Sequence, residues 1–128
     1  MSETMRIGWI GTGRMGFALC NRLLDAGAEL AVYNRTVSKT APLAERGATV
    51  VEAPIDLADR DIVFTMVAGP ADVMAVTTGD GGVLTGEGNS PRVLVDSSTI
   101  DPETSGALRA SAAERGTAVL AAPVSGNP

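Results

Sequence analysis

Residues 7–19 read IGWIGTGRMGFAL, and this stretch decides the fold. A short apolar run from Arg6 to Ile10 reads as a strand and stops at three glycines spaced G-x-G-x-x-G. Met15, Ala18, Leu19, Leu23 and Ala26 then recur at helical spacing, so the segment reads strand, turn, helix. With 15 glycines among 128 residues, about 0.2 copies of this spacing are expected by accident, so the motif takes its weight from context. In that context each glycine has a physical task. Gly11 permits the tight turn, Gly13 lets a pyrophosphate approach the backbone, and Gly16 lets the helix pack closely on the strand. The phosphates would meet the N–H groups of Thr12, Arg14 and Met15 at the positive end of the helix dipole, with the charge of Arg14 beside them. The plainer alternative is a glycine-rich turn with no ligand. A P-loop is excluded, because no Gly-Lys-Ser/Thr follows.

The same rhythm repeats outward from this unit. Gly27 stops the first helix and Glu29 to Tyr33 forms the second strand; Ser38 to Arg46 reads as a helix closed by Gly47, and Thr49 to Val51 as the third strand. A short helix about Ile55 to Ala58 precedes Ile62 to Val67, a continuous apolar run of the kind found in central parallel strands. Pro70 suits the first turn of a helix reaching about Val76, and the glycine-rich residues 78–92 read as a mobile surface loop. Val93 to Val95 is the fifth strand. Pro102 to Arg115 is a helix capped by Asp101 and stopped by Gly116, and Ala118 to Ala121 is the sixth strand. Strands alternating with helices over short connections predict an α/β fold: a Rossmann-like, doubly wound parallel sheet in three layers, with about six strands in the order 3-2-1-4-5-6. Ligands of such sheets bind outside the carboxyl ends of the strands, at the point where the winding reverses.

Bulk composition narrows the function classes. A chain of 128 residues suits one domain, here a dinucleotide-binding domain spanning 1–128. Aromatic residues are only 3% of the chain, so Ala, Val, Leu, Ile and Met must build the core. A net charge of -5 with scattered basic residues argues against a nucleic-acid partner. One cysteine, Cys20, excludes an internal disulfide, and the absence of histidine removes the usual ligands of a metal site. No apolar run approaches membrane-spanning length or a signal-peptide core, so a cytoplasmic protein with no membrane partner is expected.

The end of the second strand selects the cofactor. NAD sites use Asp or Glu there to accept both ribose hydroxyls, but this chain reads Tyr33-Asn34-Arg35-Thr36, with Ser38 and Lys39 next. A carboxylate would repel a 2'-phosphate. Arg35 can pair with one through charge-assisted hydrogen bonds, and Thr36 or Ser38 can donate more, which favours NADP over NAD. Asn34 also occupies the position where a methyltransferase would be expected to carry an acid. The alternative is that Arg35 and Lys39 merely begin a solvated helix.

Four blocks together carry a family resemblance: GWIGTGRMG with Met before the third glycine, NRT at 34–36, DSSTIDP at 96–102 and APVSG at 122–126. They are similar to the β-hydroxyacid dehydrogenases, which include 3-hydroxyisobutyrate, tartronate semialdehyde and 6-phosphogluconate dehydrogenases, and the resemblance spans essentially the whole chain. It implies hydride transfer between a nicotinamide cofactor and a small carboxylate-bearing β-hydroxyacid or its semialdehyde or keto acid. It also implies that Val67 and Ala68 line the nicotinamide ribose, that Thr99 touches the nicotinamide end, and that Ser98, Ser125 and Gly126 hold the substrate. All these positions fall at predicted carboxyl ends of strands, where one cleft could hold them. The alternative is that Ser98 and Thr99 are turn residues feeding the next helix, and Ser125 a loop hydroxyl. Asp96 reads as a structural hydrogen-bond partner.

Departures from the family pattern bear on activity. The family writes an acid before A-P-V-S-G and a second glycine after it, where this chain has Ala121 and Asn127. Its catalytic lysine lies on a helix of a following all-helical domain that also supplies the dimer interface. Lys39, on the adenosine side, is the only lysine here, so no catalytic residue is expected within this chain and the catalytic half is expected to be absent from it. Two other readings stay open: a non-enzymatic nucleotide-binding module, and the cofactor half of an imine reductase, which shares NRT after the second strand. A sheet meant to pack on a second domain would expose Val124 and its neighbours, so self-association into a homo-oligomer is also expected.

Overall fold

A computed structural model describes residues 5–123. Six strands form one sheet: β1 (Arg6–Ile10), β2 (Glu29–Tyr33), β3 (Thr49–Val50), β4 (Ile62–Thr65), β5 (Val93–Asp96) and β6 (Ala118–Ala121). Their order is β3-β2-β1-β4-β5-β6, and every neighbouring pair is parallel. The helices between them are α1 (Arg14–Asp25), α2 (Ala41–Glu45), α3 (Pro70–Thr77) and α4 (Pro102–Ala113). The expected doubly wound topology is the observed one.

Two apolar layers enclose the sheet. Ile7, Trp9, Leu30 and Val32 meet Cys20 of α1 and Leu43 of α2 on one face. Ile10, Ala31, Val63 and Leu94 meet Val73 of α3 and Leu108 of α4 on the other. The alternation of Trp9 with Ile10 and of Ala31 with Val32 follows the two-residue period of a strand covered on both sides. Trp9 stacks on Phe64, its register partner on β4, with ring centroids 4.9 Å apart.

Capping follows the local sequence. Gly27 ends α1 with φ +84, and the N–H groups of Gly27 and Ala28 return to the carbonyls of Leu24 and Leu23. Asp101 caps α4 by accepting the Thr104 N–H at 3.0 Å, with Pro102 in the first turn.

The short helix expected about Ile55 to Ala58 is a 3₁₀ turn, Pro54–Leu57, and three further elements differ more. The helix expected over Ser38 to Arg46 is a 3₁₀ turn, Val37–Thr40, followed by α2. Pro42 has no N–H to bond back to Ser38 and its ring crowds that carbonyl, so the helix restarts at Ala41. The strand expected to reach Val67 ends at Thr65, because the Val67 N–H turns to the Ser98 hydroxyl at 2.9 Å. Residues 78–92 are not a loose surface loop: Val83 and Leu84 are buried in the core, and their N–H groups bond the carbonyls of Val76 and Thr77.

Candidate functional site

The strand registers bring the sequence blocks to one edge. Ile10 lies beside Tyr33 on one side and Thr65 on the other, and Thr65 lies beside Asp96. The turns after β1, β2, β4 and β5 therefore leave the sheet at the same level, around the β1–β4 junction where the winding reverses.

The three glycines after β1 divide into two kinds. Gly11 has φ +102, and a Cβ there would collide with the Met66 carbonyl oxygen at the end of β4. A Cβ at Gly16 would collide with the Gly11 carbonyl oxygen, which also accepts the Trp9 indole N–H at 2.8 Å. The protein's own packing thus demands both residues. Gly13 differs: it is exposed, has an ordinary φ of -67, and nothing lies within 4 Å of where its Cβ would stand. Gly13 is the N-cap of α1, and no side chain caps the helix. The N–H groups of a first helical turn lack intrahelical acceptors and carry the positive end of the dipole. Met15 and Gly16 contribute two of them, so the open space beside Gly13 fits an anionic group such as a pyrophosphate.

Thr12 requires a correction. Its N–H, expected to meet phosphate, donates to the Asn34 carboxamide oxygen at 2.9 Å, because the parallel β1–β2 pairing sets the two turns side by side. Asn34 also donates from its amide nitrogen to the Thr36 carbonyl at 2.9 Å. Asn34 thus ties the glycine turn to the corner after β2. Among the described residues the Thr12 hydroxyl is buried without a hydrogen-bond partner. Arg35, Thr36 and Lys39 are exposed at the same corner, and among the described residues no carboxylate pairs with Arg35 or Lys39.

At the ends of β4 and β5 the polar side chains engage one another. Asp96 is buried and accepts the Thr65 hydroxyl at 2.9 Å and the Ser98 N–H at 3.0 Å, which is the structural role expected of it. The Ser98 hydroxyl accepts the Val67 N–H and points its own hydrogen toward the Thr65 carbonyl at 3.5 Å. Ser98 is thereby buried against the β4 backbone, while Thr99 beside it is exposed. Ser125 and Gly126 lie outside the described residues.

A cleft of about 500 Å³ gathers much of this edge. Gly11, Gly13, Asn34, Arg35, Thr36, Val67 and Ala68 line it, as the sequence reading expected, whereas Thr12, Arg14, Met15, Gly16, Ser98 and Thr99 do not. Tyr33, Pro54, Asp72, Val76 and Asp80 line it too and were not anticipated, because nothing local marks which residues of β2, α3 or the turns beside them face the cleft. Trp9 was also missed, although an indole within an apolar strand signals the need for a nearby acceptor. Open backbone at Gly13, an uncapped helix N-terminus and a β2 corner without an acid together fit a phosphorylated dinucleotide.

The family model for the NAD binding domain of 6-phosphogluconate dehydrogenase matches residues 6–128. The chain belongs to this family. Its relatives include Probable 3-hydroxyisobutyrate dehydrogenase-like 1, mitochondrial, of Arabidopsis thaliana, 40% identical over 94% of this chain and 36% of that protein. The solved 3-hydroxyisobutyrate dehydrogenase of Mycobacterium tuberculosis, determined with L-serine, has a TM-score of 0.85 and 28% identity, over 98% of this chain and 42% of that one. A structure of Psf3 in complex with NADP+ and 2-OPP has a TM-score of 0.83 and 35% identity, over 94% of this chain and 43% of that one. Imine reductases and the cytokine-like nuclear factor N-PAC are also among the similar proteins. The chain is therefore an NAD-binding domain of the 6-phosphogluconate dehydrogenase type, similar to part of the 3-hydroxyisobutyrate dehydrogenase-like oxidoreductases, and it spans about two fifths of those relatives' length.

Proposed function

We propose that this chain binds NADP(H) in preference to NAD(H) and forms the cofactor-binding part of an oxidoreductase acting on a small, carboxylate-bearing β-hydroxyacid. The observation that carries the cofactor choice is the corner after β2. Its one carboxamide, Asn34, is occupied by the Thr12 N–H and the Thr36 carbonyl, which leaves Arg35, with Thr36 and Lys39, to meet a 2'-phosphate. The bound dinucleotide supplies the hydride chemistry.

The chain's own residues bind and orient. The first turn of α1, beside Gly13, takes the pyrophosphate, and the backbone of Val67 and Ala68 supports the nicotinamide ribose. Ser98 acts through Val67, holding that backbone by its N–H, and Thr99 is placed to touch the nicotinamide end. Ser125 and Gly126 are proposed to bind the substrate carboxylate, with Ser98 contributing only by positioning Val67. With no histidine in the sequence, and with Lys39 proposed at the adenosine end, no general acid for a carbonyl under reduction is proposed within this chain. The family resemblance assigns that role to a lysine of a following all-helical domain.

Fluorescence titration of the chain with NADPH and NADH tests this reading. NADPH should bind at least tenfold more tightly, and Arg35→Asp should reverse or abolish the preference. Equal affinities for the two cofactors would sink the cofactor assignment.

A further inference from the structure

Charge of both signs lines the cleft. Arg35 and Lys39 stand at the β2 corner, while Asp72 and Asp80 come from α3 and the turn after it. A carboxylate near the phosphates of NADP(H) would repel them, by roughly 1 kcal/mol for each pair of unit charges 4 Å apart even in water. Asp72 is not neutralised within the protein: among the described residues no ion pair or hydrogen bond engages its side chain. Its oxygens are therefore available to a part of the ligand that carries hydrogen-bond donors and no negative charge.

The fold says which part. Asp72, Ala75 and Val76 lie at i, i+3 and i+4 on α3 and all three line the cleft, so one face of this helix forms its wall. Tyr33, Pro54 and Val76 supply apolar surface for a flat ring. Asp72 sits in the first turn of α3, where the dipole favours a carboxylate and leaves its oxygens to accept from the cleft. On the adenine ring the exocyclic 6-amino group is the one hydrogen-bond donor.

We infer that Asp72 accepts a hydrogen bond from the adenine 6-amino group, so that α3 reads the base of the cofactor. This rests on the cleft being an NADP(H) site. Replacing the amino group by a 6-oxo group, as in the hypoxanthine analogue, turns that donor into an acceptor set against a carboxylate.

The test compares the affinities of NADPH and reduced nicotinamide hypoxanthine dinucleotide phosphate for the 128-residue chain. The wild type should favour adenine about tenfold, the lower end for a charge-assisted hydrogen bond at a half-exposed site. Asp72→Ala should bring the ratio near one. Asp72→Asn, which presents both a donor and an acceptor, should do the same while keeping measurable affinity for both ligands, so the inference does not hang on the alanine variant alone. Asp80→Asn tests the other carboxylate of the cleft and should move the ratio less than Asp72→Asn does. A wild-type ratio of one, a ratio unmoved by either Asp72 variant, or a ratio governed by Asp80 overturns the inference while leaving NADPH binding intact. Failure of the wild type to bind NADPH at all overturns the proposed function and this inference with it.

Discussion

The Asn34 carboxamide joins two turns: its oxygen accepts the Thr12 N–H at 2.9 Å and its nitrogen donates to the Thr36 carbonyl at 2.9 Å. One side chain thus sets the spacing between the glycine turn after β1 and the Arg35–Thr36 corner after β2. The β1–β2 register brings these turns together, with Ile10 beside Tyr33.

Asn34→Ala removes both bonds at once. The site is half-exposed, so water replaces part of the loss and stability should fall by about 1 kcal/mol. NADPH affinity should fall more than that loss explains, because the two turns lose their common brace. Asn34→Asp keeps an acceptor for Thr12 but sets a carboxylate oxygen against the Thr36 carbonyl and beside the 2'-phosphate position. It should weaken NADPH more than NADH. Urea unfolding and cofactor titration read the two effects, and an unaltered NADPH affinity in both variants would show that the brace does not serve binding.

Gly13 and Gly16 should separate binding from folding. Gly16→Ala drives a methyl group into the Gly11 carbonyl, with the Trp9 indole nitrogen 3.1 Å away, and should cost about 1–3 kcal/mol through backbone shift and strain. Gly13→Ala meets open space at a φ that alanine adopts freely, so stability should change by less than about 1 kcal/mol. Its methyl group would occupy the approach to the phosphates, and NADPH affinity should drop. If Gly13→Ala binds NADPH as tightly as the wild type, the pyrophosphate does not sit there.

Asp96→Ala strands two donors. The Thr65 hydroxyl and the Ser98 N–H lose their shared acceptor in a buried setting, for an expected loss of about 2–4 kcal/mol in unfolding free energy. Ser98 would then hold Val67 less firmly. Thermal or denaturant unfolding checks the magnitude, and a loss within about 0.5 kcal/mol, the range of an ordinary surface substitution, would contradict the bridging role.

Cys20 predicts an alkaline limit to stability. It is wholly buried between α1 and the sheet, and burial pushes its thiol up to about 12 from an ordinary 9.0. The raised value means that the folded state favours the neutral thiol. Its contribution to stability is complete below the unfolded value and is lost as pH rises from 9.0 toward 12. Unfolding midpoints should therefore decline between pH 9 and pH 11, less steeply in Cys20→Ala. Thiol-directed reagents should leave the native protein unmodified at pH 8 and label it on unfolding. Rapid labelling of the native protein would contradict the burial argument.

Much of the fold was legible because its signals are local. Gly27 and Gly47 mark helix ends, Asp101 and Pro102 mark a helix start, and the apolar run around Ile62 marks a strand covered on both faces. Where the reading slipped, a second local signal had been outweighed: Pro42 interrupts the helix expected across it, and Val83 and Leu84 pin a segment whose glycines suggested mobility. The candidate site was half legible. Gly11, Gly13, Asn34, Arg35, Thr36, Val67 and Ala68 do meet in one cleft, but Asp72 and Pro54 join them only through the packing of other elements onto the sheet.

By itself the sequence determined the strand order, the edge at which the candidate cleft lies and the absence of an acid after β2, since these follow from periodicity, turn chemistry and the handedness of parallel crossovers. Only the tertiary structure decided which polar groups remain available there. Thr12 N–H meets Asn34 across 22 residues and Val67 N–H meets Ser98 across 31, pairings set by strand register. A hydrogen-bonding group consumed by a distant partner looks, in sequence, the same as one held ready for a ligand, and only long-range packing separates the two.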